Sequence, residues 1–258
     1  MSSVSPTAPT ASTHDHGTKA HTDVAPGEIA VGVVIGRASE YFDFFVFGIA
    51  SALIFPSVFF PFTGRLEGAL WSFALFSLAF LTRPIGTIVF MHVQERWGRG
   101  IKLTISLFML GTATAGIAFL PSFNTIGGWS IALLAALRML QGVALGGSWD
   151  GLPSLLAMNA PKGRRGWYSM LGQLSAPVGF IVAASVFAFL YASLSLEDLL
   201  SWGWRYPFFV AFAINVVALF ARLRMVTTEE YASLFETREL QPSRISETVA
   251  REGHNIML

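Results

Sequence analysis

Between Ile29 and Leu223 the chain is divided into six apolar runs, each able to cross about 30 Å of hydrocarbon at roughly 20 helical residues. No other feature restricts the fold so severely. In a bilayer core each backbone amide needs a partner within the protein, so an isolated run of this length crosses as a helix. The runs fall roughly at 29–55, 69–91, 103–120, 129–158, 167–192 and 206–223. Only 13% of residues are charged, against about 25% in soluble domains, and the mean hydropathy is +0.57. That leaves too little polar side chain for a surface wetted on all sides. The 23 Phe and 24 Gly suit helices packed in lipid, with small residues where two backbones approach. The expected fold is an all-α membrane protein with six transmembrane helices.

Residues 1–27, rich in Ser, Thr, Ala, Pro and His, are expected to form a disordered cytoplasmic tail. They lack the basic start and short apolar region of a signal peptide. His14, His16 and His21 read as incidental solvated side chains rather than a metal site. Residues 28–223 hold the helical bundle. Residues 224–258 are polar and charged, a cytoplasmic segment. The closing Asn255–Leu258 resembles the start of another apolar stretch, so this segment is expected to lead to a second half absent from the chain.

The distribution of basic residues orients the bundle. The connection between the second and third runs carries Arg96, Arg99 and Lys102, and the next on that side Lys162, Arg164 and Arg165. Arg222, Arg224, Arg238, Arg244 and Arg251 follow the sixth run. The opposite side offers Arg65, then nothing, then Arg205 beside Glu197 and Asp198. The excess of Lys and Arg on cytoplasmic loops places both termini in the cytoplasm, as an even number of spans requires.

Several classes of chemistry are excluded. There is no Cys, hence no disulfide, thiolate nucleophile or Cys metal site. No phosphate-binding loop, dinucleotide fingerprint or nucleophile elbow is present. The five His never take metal-ligand spacing within a run. No basic tract is interleaved with aromatics, so nucleic acid is not an expected partner. The chain is expected not to be an enzyme and to hold no cofactor.

Six ionisable residues remain at membrane depth: Arg37, Glu40 and Asp43 in the first run, Arg83 in the second, Arg138 and Asp150 in the fourth. Facing lipid, each would cost several kcal/mol, so each is expected to face the bundle interior, a water cavity or the interface. Glu40 and Asp43 lie three apart on one helical face, with Arg37 one turn earlier. Burial raises the proton affinity of a carboxylate and a neighbouring Arg lowers it. A group balanced between the two loads and releases a proton as its surroundings change, which makes Asp43 and Glu40 the proton-handling candidates. Arg138 is the expected charge partner or anchor for an anionic substrate, with Gln141 as polar lining on the same stripe. A static Asp–Arg bridge that only holds helices together is the alternative. Arg83, near the cytoplasmic end, is expected to snorkel to the interface. Gly142, Gly146 and Gly147 permit close helix approach, and Gly172, Pro177 and Gly179 invite a bend.

These residues, taken together, resemble the major facilitator superfamily, in its metabolite:proton symporter branch. The first helix carries Glu40-Tyr41-Phe42-Asp43-Phe44 where that branch has Glu-aromatic-aromatic-Asp-Phe, and the second ends in Arg83-Pro84-Ile85-Gly86. The Gly-x-x-x-Asp-Arg-x-Gly-Arg-Lys/Arg loop motif aligns with Met91–Gly100. The fourth helix has Arg138, Gln141, Gly142, Gly146, Gly147 and then Ser148 where Glu is usual. Ala160–Gly166 and Trp202–Pro207 match as well, and the likeness runs from Glu28 to Tyr231. Departures are Met91 for Gly, Glu95 for Asp, Gly100 for a basic residue, and Thr227-Thr228-Glu229 after helix six.

The resemblance implies a fold of two six-helix halves, of which this chain supplies one, with substrate bound between them. It implies secondary active transport by alternating access, a proton-coupled symport of a small polar metabolite such as an organic acid, proline or betaine across a bacterial inner membrane. The proton gradient, not a cofactor, would drive it. Glu95, Arg96 and Arg99 would form a cytoplasmic gate. Expected partners are the lipid bilayer, the metabolite and proton, and either a second half-transporter or a homodimer partner. A truncated or degenerate non-transporting membrane protein and an uncoupled facilitator are the competing readings.

Overall fold

A computed structural model of the chain describes residues 26–148, 160 and 163–226. Of the expected tail at 1–27, residues 1–25 lie outside the described residues, as do Asp150, Lys162 and, of the expected segment 224–258, everything from 227 on; Pro26 and Gly27 are already helical, and so are Arg224–Val226. No strand occurs among the described residues. The order is α1 (Pro26–Leu53), α2 (Phe55–Phe59), α3 (Arg65–Ala118), α4 (Phe123–Ile126), α5 (Gly128–Gly147), α6 (Arg165–Ser193), α7 (Leu196–Ser201), a 3-10 turn (Gly203–Arg205) and α8 (Tyr206–Val226).

Among the described residues, five helical stretches are long and apolar enough to cross a membrane: Arg65–Gly98, Gly100–Ala118, Gly128–Gly147, Gly166–Ser193 and Gly203–Phe220. α1 is the sixth span. Its 28 residues reach roughly 42 Å at about 1.5 Å each. Arg37, Glu40 and Asp43 lower its apolar character, and all three are turned toward protein. The result is an all-α membrane bundle, one half of the two-part architecture.

The second and third runs were expected to be joined by a polar turn. Instead α3 carries both, broken only at Gly98, whose φ of 84° and ψ of 171° no side-chain-bearing residue adopts without strain. The helix therefore continues through Glu95, Arg96 and Trp97 and changes direction in a single residue. Lys102 and Gln94 clasp across that bend, Lys102 Nζ donating to Gln94 Oε1 at 3.0 Å.

Two helix pairs make the frame. α3 lies against α5 along most of its first arm, and α1 lies against α6; α8 closes the bundle against α3 and α1. The α3–α5 seam is backbone on backbone. A Cβ at Gly86 would overlap the Val143 carbonyl, one at Gly142 the Ala79 backbone, and one at Gly146 the Arg83 carbonyl. Thr82 Oγ1 donates across the seam to Met139 O at 3.0 Å. At Gly179 a Cβ would strike the Tyr41 and Phe42 backbone, so the same device sets α6 against α1. α6 runs helical through Pro177.

The connecting helices α2, α4 and α7 gather at one end, the end whose loops are poor in basic residues. Ser195 caps α7, its Oγ accepting from Asp198 N at 3.1 Å. Beneath this cap Phe47, Phe55, Phe59, Trp204 and Phe208 form an aromatic core of mostly edge-to-face rings 5.1–6.5 Å apart. Arg205 ties the cap down, Nη2 donating to the carbonyl of Leu120 at 3.2 Å.

Candidate functional site

Midway along α1 the chain places Asp43 at 3% exposure, where three helices meet. A carboxylate so enclosed requires donors, and the neighbouring helices supply them. Thr114, on the second arm of α3, donates from Oγ1 to Asp43 Oδ1 at 2.6 Å. Gln141 of α5 donates from Nε2 to Asp43 Oδ2 at 3.2 Å and to Thr114 Oγ1 at 2.8 Å.

Arg138, one turn before Gln141, is wholly buried. It forms no ion pair with Asp43 among the described residues. Its Nη1 donates to Gln141 Oε1 at 2.9 Å and its Nε to Phe76 O at 3.2 Å. The guanidinium lies between aromatic rings, 4.1 Å from the Phe47 centroid and 4.7 Å from that of Phe76. The expected direct pair is thus a relay: cation, amide, carboxylate, with Gln141 as the middle member rather than a cavity lining. The physical reason is spacing, since i and i+3 on one helix bring Gln141 between its neighbour and the facing helix.

Asn215 of α8 is 2% exposed and reaches the surroundings of the same carboxylate. Neither of its amide atoms has a hydrogen-bond partner among the described residues, nor has Nη2 of Arg138. Thr114 and Asn215 were missed by a reading that looked only for ionisable groups within apolar runs. A polar residue in mid-span was the available signal for both.

Glu40 is three residues from Asp43 but in different surroundings. Its Oε2 accepts from Arg37 Nη1 at 3.3 Å, and both line a cavity of about 280 Å³ with Tyr41, Phe44, Phe80 and Arg83. Arg83 is half-buried in that wall. It was expected to snorkel to the interface; it lines this cavity and also an open groove with Pro84, Thr87 and Ile88. A larger groove of about 490 Å³ beside α6 is walled by Ile181, Val182, Phe189 and Val210, a surface for hydrocarbon rather than polar ligand.

At the α3 bend Glu95 and Arg96 are exposed, and Arg96 lies over the Trp97 ring at 5.6 Å. Neither makes an ion pair among the described residues. The Arg99 side chain lies outside them. No group of three or more His, Asp or Glu that could hold a metal occurs among the described residues.

Six spanning helices, a sealed acid–amide–base relay and a charged cavity on the first helix thus make up the described bundle. The chain belongs to the sugar (and other) transporter family, within the major facilitator superfamily, whose model matches residues 29–244. It is 38% identical over 216 residues to the inner membrane metabolite transport protein YhjE of Escherichia coli (strain K12), covering 84% of this chain and 49% of that one. It is 38% identical over 202 residues to the shikimate transporter of the same strain, and 32% identical over 197 residues to the proline/betaine transporter of Salmonella typhimurium. Those alignments cover 78% and 76% of this chain, and 46% and 39% of the relatives. A crystal structure of a D-xylose–proton symporter superposes with a TM-score of 0.65 at 18% identity, over 89% of this chain and 53% of that one, which shows the shared fold. The chain spans about half the length of the curated relatives it matches. Its relatives are transporters, and it is not an enzyme.

Proposed function

We propose that this chain is the N-terminal half of a secondary active carrier that couples movement of a small polar metabolite to a proton. The observation that carries this reading is the Asp43 relay. A carboxylate held, among the described residues, by the neutral donors Thr114 and Gln141, with Arg138 one amide away, has compensation enough to stay charged and separation enough to accept a proton. A direct Asp–Arg bridge would hold it ionised; isolation would hold it neutral. Because Asp43 on α1 and its two donors on α3 and α5 belong to different packing pairs, a small relative tilt between the pairs changes the donor set and with it the proton affinity. Glu40, paired to Arg37 on the cavity wall, is the second proton-handling group. Arg138 serves as charge partner through Gln141, its full burial favouring this over a substrate anchor.

The organic-acid, proline and betaine substrates of the relatives supply the substrate class, a small polar or zwitterionic metabolite. Glu95, Arg96 and Arg99 at the α3 bend form the cytoplasmic gate, facing the side on which both termini lie in the inner membrane. The completing partner is a second six-helix unit, from a half-transporter or another copy.

The test is uptake into proteoliposomes under an imposed proton gradient, with labelled shikimate and labelled proline, by this chain alone and with the second half of a relative. Uptake that a protonophore abolishes and that Asp43→Asn removes is the expected result. Accumulation indifferent to the protonophore makes the protein an uncoupled facilitator. No uptake in either arrangement makes it a non-transporting membrane protein.

A further inference from the structure

On α8, Asn215 is 2% exposed, and neither its Nδ2 nor its Oδ1 has a hydrogen-bond partner among the described residues. A buried side-chain amide both donates and accepts, and leaving its bonds unmade is costly. Asn215 stands close enough to Asp43 to act on its carboxyl, yet no direct hydrogen bond joins the two. The carboxylate has matching capacity. Its Oδ1 accepts from Thr114 and its Oδ2 from Gln141, which leaves open about half of the roughly four lone-pair sites a carboxylate offers.

α3 leaves room beside the amide. Gly111 is buried, one turn before Thr114 on the same face. A Cβ built on it would lie 3.6 Å from the Phe212 ring and 3.8 Å from Asn215 Cβ, ordinary van der Waals contact. At Gly86, Gly142 and Gly146 a neighbouring backbone crowds that position; at Gly111 nothing does. The bare glycine therefore leaves a space the size of a methyl group, which is also close to that of a water molecule. An apolar gap would stay dry, but buried water settles where polar groups lack partners. This gap adjoins an unpartnered amide and, one turn on, the Thr114–Asp43 bond.

We infer that Gly111, Thr114 and Asn215 enclose a binding site for a single internal water, which accepts from the Asn215 amide and donates to the Asp43 carboxylate. Water does both at once, so it joins a donor to an acceptor across a gap that neither side chain spans. A metal cation is disfavoured there by the Arg138 guanidinium, one amide away from the same carboxylate. The site ties α8 to the relay through a neutral, exchangeable group. It holds whether or not the chain moves a metabolite.

The test is magic-angle-spinning NMR on the full chain in phosphatidylcholine nanodiscs, with nitrogen-labelled asparagine side chains and carbon-labelled aspartate carboxyls. Magnetisation passed from water protons reports which of these groups touch water. Asn124, exposed on α4, calibrates open solvent. In wild type both the Asn215 amide and the Asp43 carboxyl should receive magnetisation, at least about threefold more slowly than Asn124, as an enclosed water requires. Gly111→Ala, which fills the space without a clash, should cut the transfer to both groups by about threefold or more. Asn215→Leu, of similar size, should cut the transfer to Asp43, whereas Asn215→Ser, which keeps a polar group, should preserve it. Circular dichroism establishes that each variant is folded, and the wild-type measurement needs no variant at all. A dry Asn215 or a dry Asp43 in wild type overturns the site. So does transfer that Gly111→Ala leaves unchanged, since the water would then lie elsewhere. Transfer as fast as that of Asn124 would mean open solvent, and a direct nitrogen–carbon contact between Asn215 and Asp43 would mean a bare amide–carboxylate bond. Either result overturns it as well.

Discussion

Asp43 and Glu40 are separated by less than one helical turn, yet they show opposite ways of holding a charge inside a membrane protein. Asp43 is sealed, and its stability depends on neutral donors from two other helices and a cation reached through an amide. Glu40 faces a cavity and pairs with its own helix neighbour, Arg37. The sealed site consists of groups that must all be present together. The open site consists of groups that tolerate exchange, because water or ligand can take the place of a lost contact. One arrangement suits a switch, the other a seat.

That contrast orders the expected effects of substitution. The largest belongs to Arg138→Met. Removing the cation leaves an acid buried without its compensating charge, and thermal unfolding followed by tryptophan fluorescence should show a loss of about 3–5 kcal/mol. A loss below about 1 kcal/mol would mean that the relay is electrostatically idle. Next comes Thr114→Val, which deletes the shortest hydrogen bond to Asp43 and should cost about 1–2 kcal/mol by the same measurement. It should also shift the pH dependence of uptake, whereas a residue with only a packing role would change stability alone. Glu40→Gln weakens a largely buried pair on the cavity wall and is expected to cost about 1 kcal/mol. Arg83→Gln should be the mildest, within about 0.5 kcal/mol of wild type, since it removes a group that the described residues leave uncompensated. If Arg83→Gln destabilised as much as Arg138→Met, the distinction between the sealed and the open site would fail.

Much of the frame was legible in the sequence, because a bilayer reduces the choice of structure to apolar runs and their charges. The boundaries were less so. The second span was expected at 69–91 and runs from Arg65 to Gly98, since polar residues continue a helix wherever water or headgroups receive their side chains. The expected turn after it is a one-residue kink, which only the left-handed Gly98 announces. For the site, the acids and Arg138 stood out as ions in apolar surroundings. Their partners did not. Thr114 and Asn215 are uncharged and common, and the meeting of Arg83 with Arg37 and Glu40 depends on how α1 and α3 cross, which no local pattern encodes.

The glycine-lined seam between α3 and α5 has a mechanical consequence. With backbone set against backbone at Gly86, Gly142 and Gly146, side chains have no room to slide or repack at those positions, so the two helices travel as one plank. Any rocking of the bundle must then be taken up along α1, the neighbour joined to that plank by a carboxylate and its two donors. The hydrogen bonds that govern the charge of Asp43 are thus also the latch between the moving parts.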